Sequence, residues 1–477
     1  MSKGINDSFS LPHILGYSTI AVQEMNMAYH YPIIYWNTAN LIVDSGSNEE
    51  LLGQSTDYGK VATALTNMRQ RGTEITLPLI NEAEFEFVPD EKNNRIIYSL
   101  KALCGIGDDM AQSIVANRPY SSLEDFVDRV KVTPSQMIQL IKAGCFTELD
   151  GKDRIATMRK YLKEYVFEPN QKLTTSSIDI MEEMGIIPDN KKLYVRIKRF
   201  KDYVTHESFL VKEVINPKKK VPKKGYHDRI FVLDDTSTPF FQENFSEDSI
   251  VGIKDDHPTF SEKLFLKEWK KKVDVLRDWL KKSETLQTYN SHKFKDLWNE
   301  KASGTIPKWE MDSLSFYYTE HELENLNEEK YGVVNYFDLP EEPEPYDYYT
   351  RYINGERKQI PKLKITRLAG TVIDSNNIRH TVALLTKEGV VNIKYNKGQF
   401  SYYKRQISTH LNSSDKKTIL EKSWFTRGTK LLICGYRQDD IFRAYRYKDT
   451  LYMHTTNKIT DVDNDGNVEI QTDRIKA

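Results

Sequence analysis

Apolar positions recur at helical spacing early in the chain, at Ile20, Val22, Met25, Met27 and Ala28. They predict a helical stretch over residues 11–43, interrupted at Pro32. A second helix follows with Ile33, Ile34, Trp36 and Leu41, and Asp44-Ser45-Gly46-Ser47-Asn48 reads as a turn. Lys60 to Gln70 is a further amphipathic helix carrying Val61, Leu65 and Met68. Between 74 and 100 the pattern shortens to alternating pieces such as Glu74-Ile75-Thr76-Leu77 and Phe85-Glu86-Phe87, which predict small strands. Short helices return over 101–165. Residues 170–360 mix strand-like pieces, Leu193–Ile197 and Ile230–Leu233, with one strong helix from Ser261 to Lys282. The run 339–345, rich in proline and glutamate, reads as an extended linker. Strands then dominate: Leu363–Val372, Thr381–Leu385, Val390–Tyr395, Lys430–Gly435 and Ala444–Tyr447. Five short strands in roughly 100 residues suggest a small Greek-key barrel of the OB type.

The formal net charge of the 477 residues is −1, so total charge does not announce a nucleic-acid binder. The distribution is uneven. Residues 191–229 hold 13 Lys/Arg against 4 Asp/Glu, and 322–347 hold 9 Asp/Glu against one Lys. Such blocks mark either distinct functional surfaces or two solvated loops. The basic run Pro217 to Gly225 is read as a loop, since its prolines and lysines do not build a packed strand. It either touches DNA or is solvated. Three widely spaced cysteines, Cys104, Cys145 and Cys434, argue against a disulfide framework and a zinc site and fit a reducing cytoplasm. No apolar run is long enough for a membrane span. Asp461-Val462-Asp463-Asn464-Asp465-Gly466 opens like a calcium loop, but its twelfth position is Thr472, so a hairpin turn is expected.

The segment 103–115 carries the most chemistry. A helix is expected to lead into Gly105-Ile106-Gly107, and another to begin at once with Asp108-Asp109-Met110-Ala111. This is the sequence form of a helix-hairpin-helix. Its glycines permit a tight turn and let a phosphate approach without a Cβ in the way. Amides at the start of the next helix carry partial positive charge. Such a hairpin holds the DNA backbone without reading bases. Asp108 and Asp109 suit a helix N-terminus but repel a phosphate. A plain Gly-capped helix turn has the same local sequence.

The surroundings extend the pattern. Tyr120, Ser122-Leu123 and Asp125-Phe126 open a capped helix, and Ser135–Phe146 ends in Leu140-Ile141-Lys142-Ala143-Gly144-Cys145-Phe146. In this order the residues resemble the tandem helix-hairpin-helix region of the C-family DNA polymerases, the polymerase III alpha subunits. Phe9-Ser10-Leu11-Pro12-His13 with Tyr17 resembles a segment at the end of that family's fingers, although Ser10 and Pro12 depart from it. Residues 74–87 and 312–322 resemble two further family segments, and the C-terminal barrel matches the family's OB domain in position.

The resemblance implies an α+β multidomain protein. Its parts are a fingers-like helical region over 1–73, a helix-hairpin-helix domain over 74–165, a mixed connecting region over 166–340, an acidic linker over 341–361 and an OB-type β-barrel over 362–477. It implies that His13 and Tyr17 stand near the incoming nucleotide, and that Gly105, Ile106 and Gly107 meet the duplex backbone. Single-stranded DNA is expected on Tyr395, Phe400, Tyr402 and Tyr403, with Lys397, Lys404 and Arg405 holding phosphates, because aromatics stack on unpaired bases and cations hold the backbone. No metal is expected on this chain. The family's palm aspartates and their Mg²⁺ ions are expected on a companion chain. Further expectations are a primer-template partner, a bacterial cytoplasm or nucleoid, and a bacteriophage source. A sliding clamp is an open partner: Ser261-Glu262-Lys263-Leu264-Phe265 keeps the Leu-Phe of the family's clamp-binding peptide but lacks its leading Gln and begins a strong helix, whereas such peptides bind extended. A stand-alone DNA-binding module of replication or repair, without catalysis, and a decayed gene fragment are the alternative readings.

Overall fold

Proline sets the first boundary. It lacks an amide hydrogen and pushes the residue before it out of helical geometry. In the computed structural model, helix α1 (Ser2–His30) accordingly stops before Pro32, and α2 (Ile33–Ser45) starts after it. The model describes residues 2–48, 50, 52–149, 151, 153–206, 211–212, 228–409, 418–446 and 455–475. The chain forms two compact units, Met1–Tyr161 with Gly304–Ala477, and Leu162–Ser303. On α2, Ile34, Thr38, Leu41 and Ser45 recur every three or four residues and bury one face. Helix α3 (Tyr58–Gln70) packs beside it through Val61, Leu65 and Met68, the positions that the periodicity picks out. Helix α1 differs: Ile14, Leu15, Tyr17, Ile20, Val22, Met25 and Met27 are all exposed.

A small sheet follows, of β1 (Glu74–Thr76), β2 (Val88–Asp90) and β3 (Arg95–Ile97), in the order β1-β3-β2. Phe85-Glu86-Phe87, read as a strand, lies outside it, with Phe87 buried against Tyr98. Four short helices complete this region: α4 (Asp108–Ala116), α5 (Leu123–Arg129), α6 (Pro134–Lys142) and α7 (Arg154–Tyr161). Side chains cap α5 and α6 locally. Ser122 accepts from the Asp125 amide, and Thr133 and Gln136 form a reciprocal capping box.

The second unit holds α8 (Ile178–Glu183), α9 (Asp189–His206), β4 (Val211–Lys212), β5 (Asp228–Val232), α10 (Ser237–Asn244), β6 (Ile250–Lys254), β7 (His257–Ser261), α11 (Glu262–Leu280) and α12 (Ser283–Lys301). Its sheet runs β4-β5-β7-β6, and a phenylalanine-rich core fills the space against α9 and α11. Leu193–Ile197, expected as a strand, lies inside α9. The alternation there is incidental, because Ile197, Phe200 and Val204 continue the buried stripe at helical spacing. The clamp-peptide candidate fails for a related reason. Ser261 caps α11, and Phe265 is fully buried in the core, so the segment is not available as an extended peptide. The basic run Pro217 to Gly225 lies outside the described residues.

The chain then returns to the first unit with α13 (Ile306–Leu314) and the short α14 (Glu328–Tyr331). The acidic linker over 341–361 is corrected here. Most of it is an antiparallel ribbon of β8 (Pro345–Ile353) and β9 (Glu356–Leu363), closed by Asn354 and Gly355, both at positive φ. Two consecutive residues at positive φ fit the two-residue hairpin turn that Asn-Gly favours.

The C-terminal region is a barrel. Strands β10 (Thr366–Asn376), β11 (Thr381–Leu385) and β12 (Val390–Lys394) pair in sequence. Helix α15 (Lys397–Lys404) follows, then the small pair β13 (Ile407–Ser408) and β14 (Ile419–Glu421). Strand β15 (Lys430–Gln438) pairs back onto β10, and β16 (Ile441–Ala444) lies parallel to β12 and antiparallel to β15. The circuit β10-β11-β12-β16-β15 therefore closes on itself, giving the five-stranded OB-type barrel. Strands β17 (Thr456–Val462) and β18 (Val468–Gln471) extend the sheet from β15. The calcium-like loop is the turn between them, where Asp463 accepts from the amides of Asp465 and Asn467.

Residues 317–323 bind this barrel to the rest of the unit. The Tyr317 hydroxyl lies 2.8 Å from Thr371 Oγ1 and donates to Glu322 at 3.0 Å. His321 Nδ1 accepts from the Leu323 amide, so its proton sits on Nε2, which donates to the Leu385 carbonyl at 3.0 Å. Burial pushes His321 down to about 4 from its ordinary 6.5. The unfolded chain therefore binds this proton first as pH falls. The resulting stability is fully present above about pH 6.5 and is lost as pH falls towards about 4. Urea midpoints measured across that window should drop for the native chain, and His321→Gln should flatten the drop. Parallel curves would contradict this role for His321.

Candidate nucleic-acid interface

The helix expected to lead into Gly105-Ile106-Gly107 is absent: residues 100–107 are turns and irregular backbone, and the first helix of this region is α4 itself. Gly105 sits at φ +80°, where a Cβ is strained, and it is exposed. Ile106 turns inward: its side chain is buried and its amide donates to the Leu103 carbonyl. Ile106 therefore anchors the turn, and the exposed glycines on either side of it form the face towards solvent. Gly107 is the N-cap of α4, with ordinary extended dihedrals and nothing within 4 Å of a Cβ placed there. The Cys104 amide ties the turn to the Ser313 carbonyl at 2.8 Å.

The acidic pair after the hairpin does not act as a single negative patch. Asp108 meets the buried Lys101 at 2.5 Å and accepts from the Gly53 amide at 2.8 Å. The Lys101 hydrogen bond holds the Asp108 carboxyl below the usual range. Its charge is thus compensated, while Asp109 stays exposed beside the helix start. The second hairpin is different. Gly144 is buried, and a Cβ there meets Arg154 and Leu77 at about 3 Å, so this glycine serves packing.

The two glycines of the first hairpin separate fold from binding. Gly105→Ala is expected to destabilise by about 1 kcal/mol, because of its positive φ. Gly107→Val is expected to leave the melting temperature within a few degrees while weakening duplex DNA binding several-fold. Thermal melts and anisotropy on a labelled duplex check both. Duplex affinity unchanged in Gly107→Val would remove the phosphate contact from this turn.

The barrel aromatics require a correction. Tyr395, Phe400 and Tyr403 lie in the barrel core with Trp424 and Phe425, each 3% exposed or less. They do not stack on bases. The segment after β12 is a helix and not a strand: Asn396 caps it, accepting from the Gln399 amide, and Phe400 and Tyr403 share its inner face. Tyr402, Lys397 and Arg405 are exposed, whereas Lys404 is half-buried and donates to Ser375 Oγ at 2.6 Å. His13 and Tyr17 lie exposed on α1, four residues apart with their rings stacked at 6.2 Å.

A cleft that the sequence did not announce lies on the outer face of the barrel. It has a volume of about 640 Å³ and runs between α2 and α3 on one side and β10, β11 and β12 on the other. Five of its 17 lining residues carry side-chain amides: Asn37 and Asn40 from α2, Asn67 from α3, Asn376 and Asn392 from the barrel. The lining also holds three cations, Lys60, Arg71 and Arg379, and three acids, Asp44, Asp57 and Asp374. Lys60 pairs with Asp44 at 3.5 Å and with Asp57 at 3.7 Å. Asn376 accepts from the Ile378 and Arg379 amides, fixing the turn between β10 and β11. Gly59 allows the close approach, since a Cβ there meets Asp374 Cβ at 2.9 Å. Strands two and three of an OB barrel, with the loop between strands one and two, form its oligonucleotide-binding face. In this chain those are β11, β12 and residues 377–380, and together with Asp374 and Asn376 of β10 they form the barrel wall of the cleft. Amide side chains in a balanced field suit base edges better than phosphates. Among the described residues no cluster of His, Cys, Asp and Glu is arranged to hold a metal ion, and no helix is long and apolar enough to cross a membrane.

A helix-hairpin-helix carried in one compact unit with an OB barrel is the make-up of a DNA-handling protein. The helix-hairpin-helix motif family matches residues 72–156. Over 98% of its length the chain is 40% identical to a protein of Bacillus subtilis (strain 168) described as a probable DNA polymerase YorL. A DNA-directed DNA polymerase of Bacillus phage SPbeta gives the same figures. It is 31% identical over 153 residues to the DNA polymerase III subunit alpha of Chlamydia trachomatis, a match covering 31% of the chain and 11% of that protein. These matches support a likeness to the C-terminal portion of the C-family DNA polymerases. It spans 35% of the length of the Bacillus and phage relatives.

Proposed function

We propose that this chain is the DNA-gripping part of a replicative DNA polymerase and works with a companion chain that carries the palm aspartates and their Mg²⁺ ions. The observation that carries the reading is the joining, in one unit, of an exposed Gly105/Gly107 hairpin and a barrel whose oligonucleotide face opens onto an amide-lined cleft. The hairpin holds the duplex behind the primer end through its phosphates. The cleft takes the unpaired template strand, whose bases present their edges to the asparagines. Helix α1 brings His13 and Tyr17 to the incoming nucleotide, and its exposed apolar residues are covered by the companion. The relatives are themselves described as DNA polymerases, which supports a polymerase-related role for this chain.

Anisotropy with three labelled DNAs tests the DNA half of the reading. A primer-template junction should bind more tightly than a duplex or a single strand alone, because it engages both surfaces. All three affinities should fall steeply with salt, as phosphate contacts release counterions. Equal affinity for junction and single strand, or no binding to any of them, would overturn it.

A further inference from the structure

The β8–β9 ribbon stands outside the surfaces discussed so far. Every residue of β8 is exposed, including Tyr346, Tyr348, Tyr349 and Tyr352. A two-stranded ribbon is marginal in water unless something packs on it. Four open tyrosine rings on such an element call for a partner.

Charge identifies the partner. From residue 345 to 364 the cations are Arg351, Arg357, Lys358, Lys362 and Lys364, and the acids are Asp347 and Glu356. Both acids are already engaged, Asp347 with Lys362 at 2.6 Å and Glu356 with Lys358 at 3.6 Å. Register then places the groups. Tyr348 lies opposite Pro361, Thr350 opposite Gln359, and Tyr352 opposite Arg357. Alternation along a strand puts these on one face, which therefore carries two rings, a guanidinium and no acid. The tyrosines are about 13 Å apart along the strand.

The root of the ribbon lies at the barrel. Arg437 donates to the Leu339 carbonyl at 2.7 Å, and the Asp439 amide donates to the Glu341 carbonyl at 2.8 Å. Residues 339–341 are thus pinned to the turn between β15 and β16, the loop between strands four and five that OB barrels use for oligonucleotides. Here that turn carries Asp439 and Asp440 and repels phosphate. The ribbon rising beside it brings the missing cations.

We propose that this ribbon is a single-strand arm: unpaired bases stack on Tyr348 and Tyr352 while Arg357, on the same face, holds the backbone. Flat open rings fit unstacked bases of any sequence. A ribbon lying in a duplex groove would instead need polar side chains matched to base edges. The inference rests on the reading that the chain binds DNA.

The test uses the full chain and the triple variant Tyr348→Ala/Tyr352→Ala/Arg357→Ala. Anisotropy is read on labelled oligo-dT and on a duplex, with thermal melting and sedimentation alongside. The substituted residues are exposed, so the melt should not move. Oligo-dT affinity should fall about tenfold or more, as loss of two stacking rings implies, and duplex affinity should stay within about twofold. A native chain that binds neither DNA would defeat the DNA reading itself. A native chain that binds oligo-dT, with the variant binding equally well, would overturn the arm alone. A variant that loses self-association while keeping its oligo-dT affinity would also overturn it, and would assign the ribbon to a second copy of the chain.

Discussion

Replacing Glu310 by alanine is expected to cost about 3–5 kcal/mol, the usual penalty for breaking a buried ion pair from one side. Glu310 is completely buried on α13. One oxygen accepts from Arg154 at 2.9 Å, and the other accepts from the amides of Tyr318 and Thr319 at 2.9 Å each and from the Thr319 hydroxyl at 3.0 Å. Arg154 starts α7, beside the second hairpin, and is itself buried. The variant would leave a buried guanidinium without its carboxylate and two amides without an acceptor. Urea denaturation should show a much lower midpoint. Arg154→Ala/Glu310→Ala should lose less than the two single losses summed, since removing both partners leaves no stranded charge. A single-variant loss below about 1 kcal/mol would mean that the pair is not holding the hairpin region to α13.

Arg474→Ala should be about as damaging, again on the order of 3–5 kcal/mol. Arg474 Nε donates to Glu421 at 2.9 Å, and its other nitrogens reach the carbonyls of Tyr402, Tyr403, Arg405 and Lys422. It closes the C-terminal end of α15, where carbonyls lack helical partners. Burial pushes the Glu421 carboxyl up, but hydrogen bonds from Trp424, Arg474 and Gln471 outweigh it and hold it below its usual range. This stabilisation is therefore present above the ordinary carboxylate range and is lost as pH falls through the depressed value. Chemical denaturation at neutral and acid pH should give a native-minus-variant difference that shrinks on acidification. A constant difference would mean that Arg474 acts through packing alone.

The two predictions involve residues that differ in how far the sequence reveals them. Helices α2, α3 and α11 were legible because their apolar stripes are regular, and α2 and α11 also start at Pro32 and Ser261. The α4 hairpin was legible because glycine spacing, a local property, determines it. The error at Phe400 and Tyr403 was of another kind: an aromatic-basic run suggested a surface, although Asn396 and Gln399 mark a helix cap and the two rings lie three residues apart. The ribbon carried its signal too, since Asn354-Gly355 lies between tyrosine-rich and isoleucine-bearing strands, but the prolines and acids before it concealed the hairpin. The cleft was not legible at all. Asn40 and Asn392 line one cleft only because α3 rests on β10 across Gly59, and no local pattern encodes that long-range contact.

The claim that matters most is the division of labour with a palm-bearing chain. It is tested by affinity capture of the tagged chain from the cells in which it is naturally made, identification of what accompanies it, and assay of the eluate for Mg²⁺-dependent primer extension. The expected result is extension together with a co-purifying polypeptide that carries the palm aspartates. An eluate in which the chain stands alone, binds junction DNA and extends nothing would contradict it and leave a non-catalytic DNA-binding module.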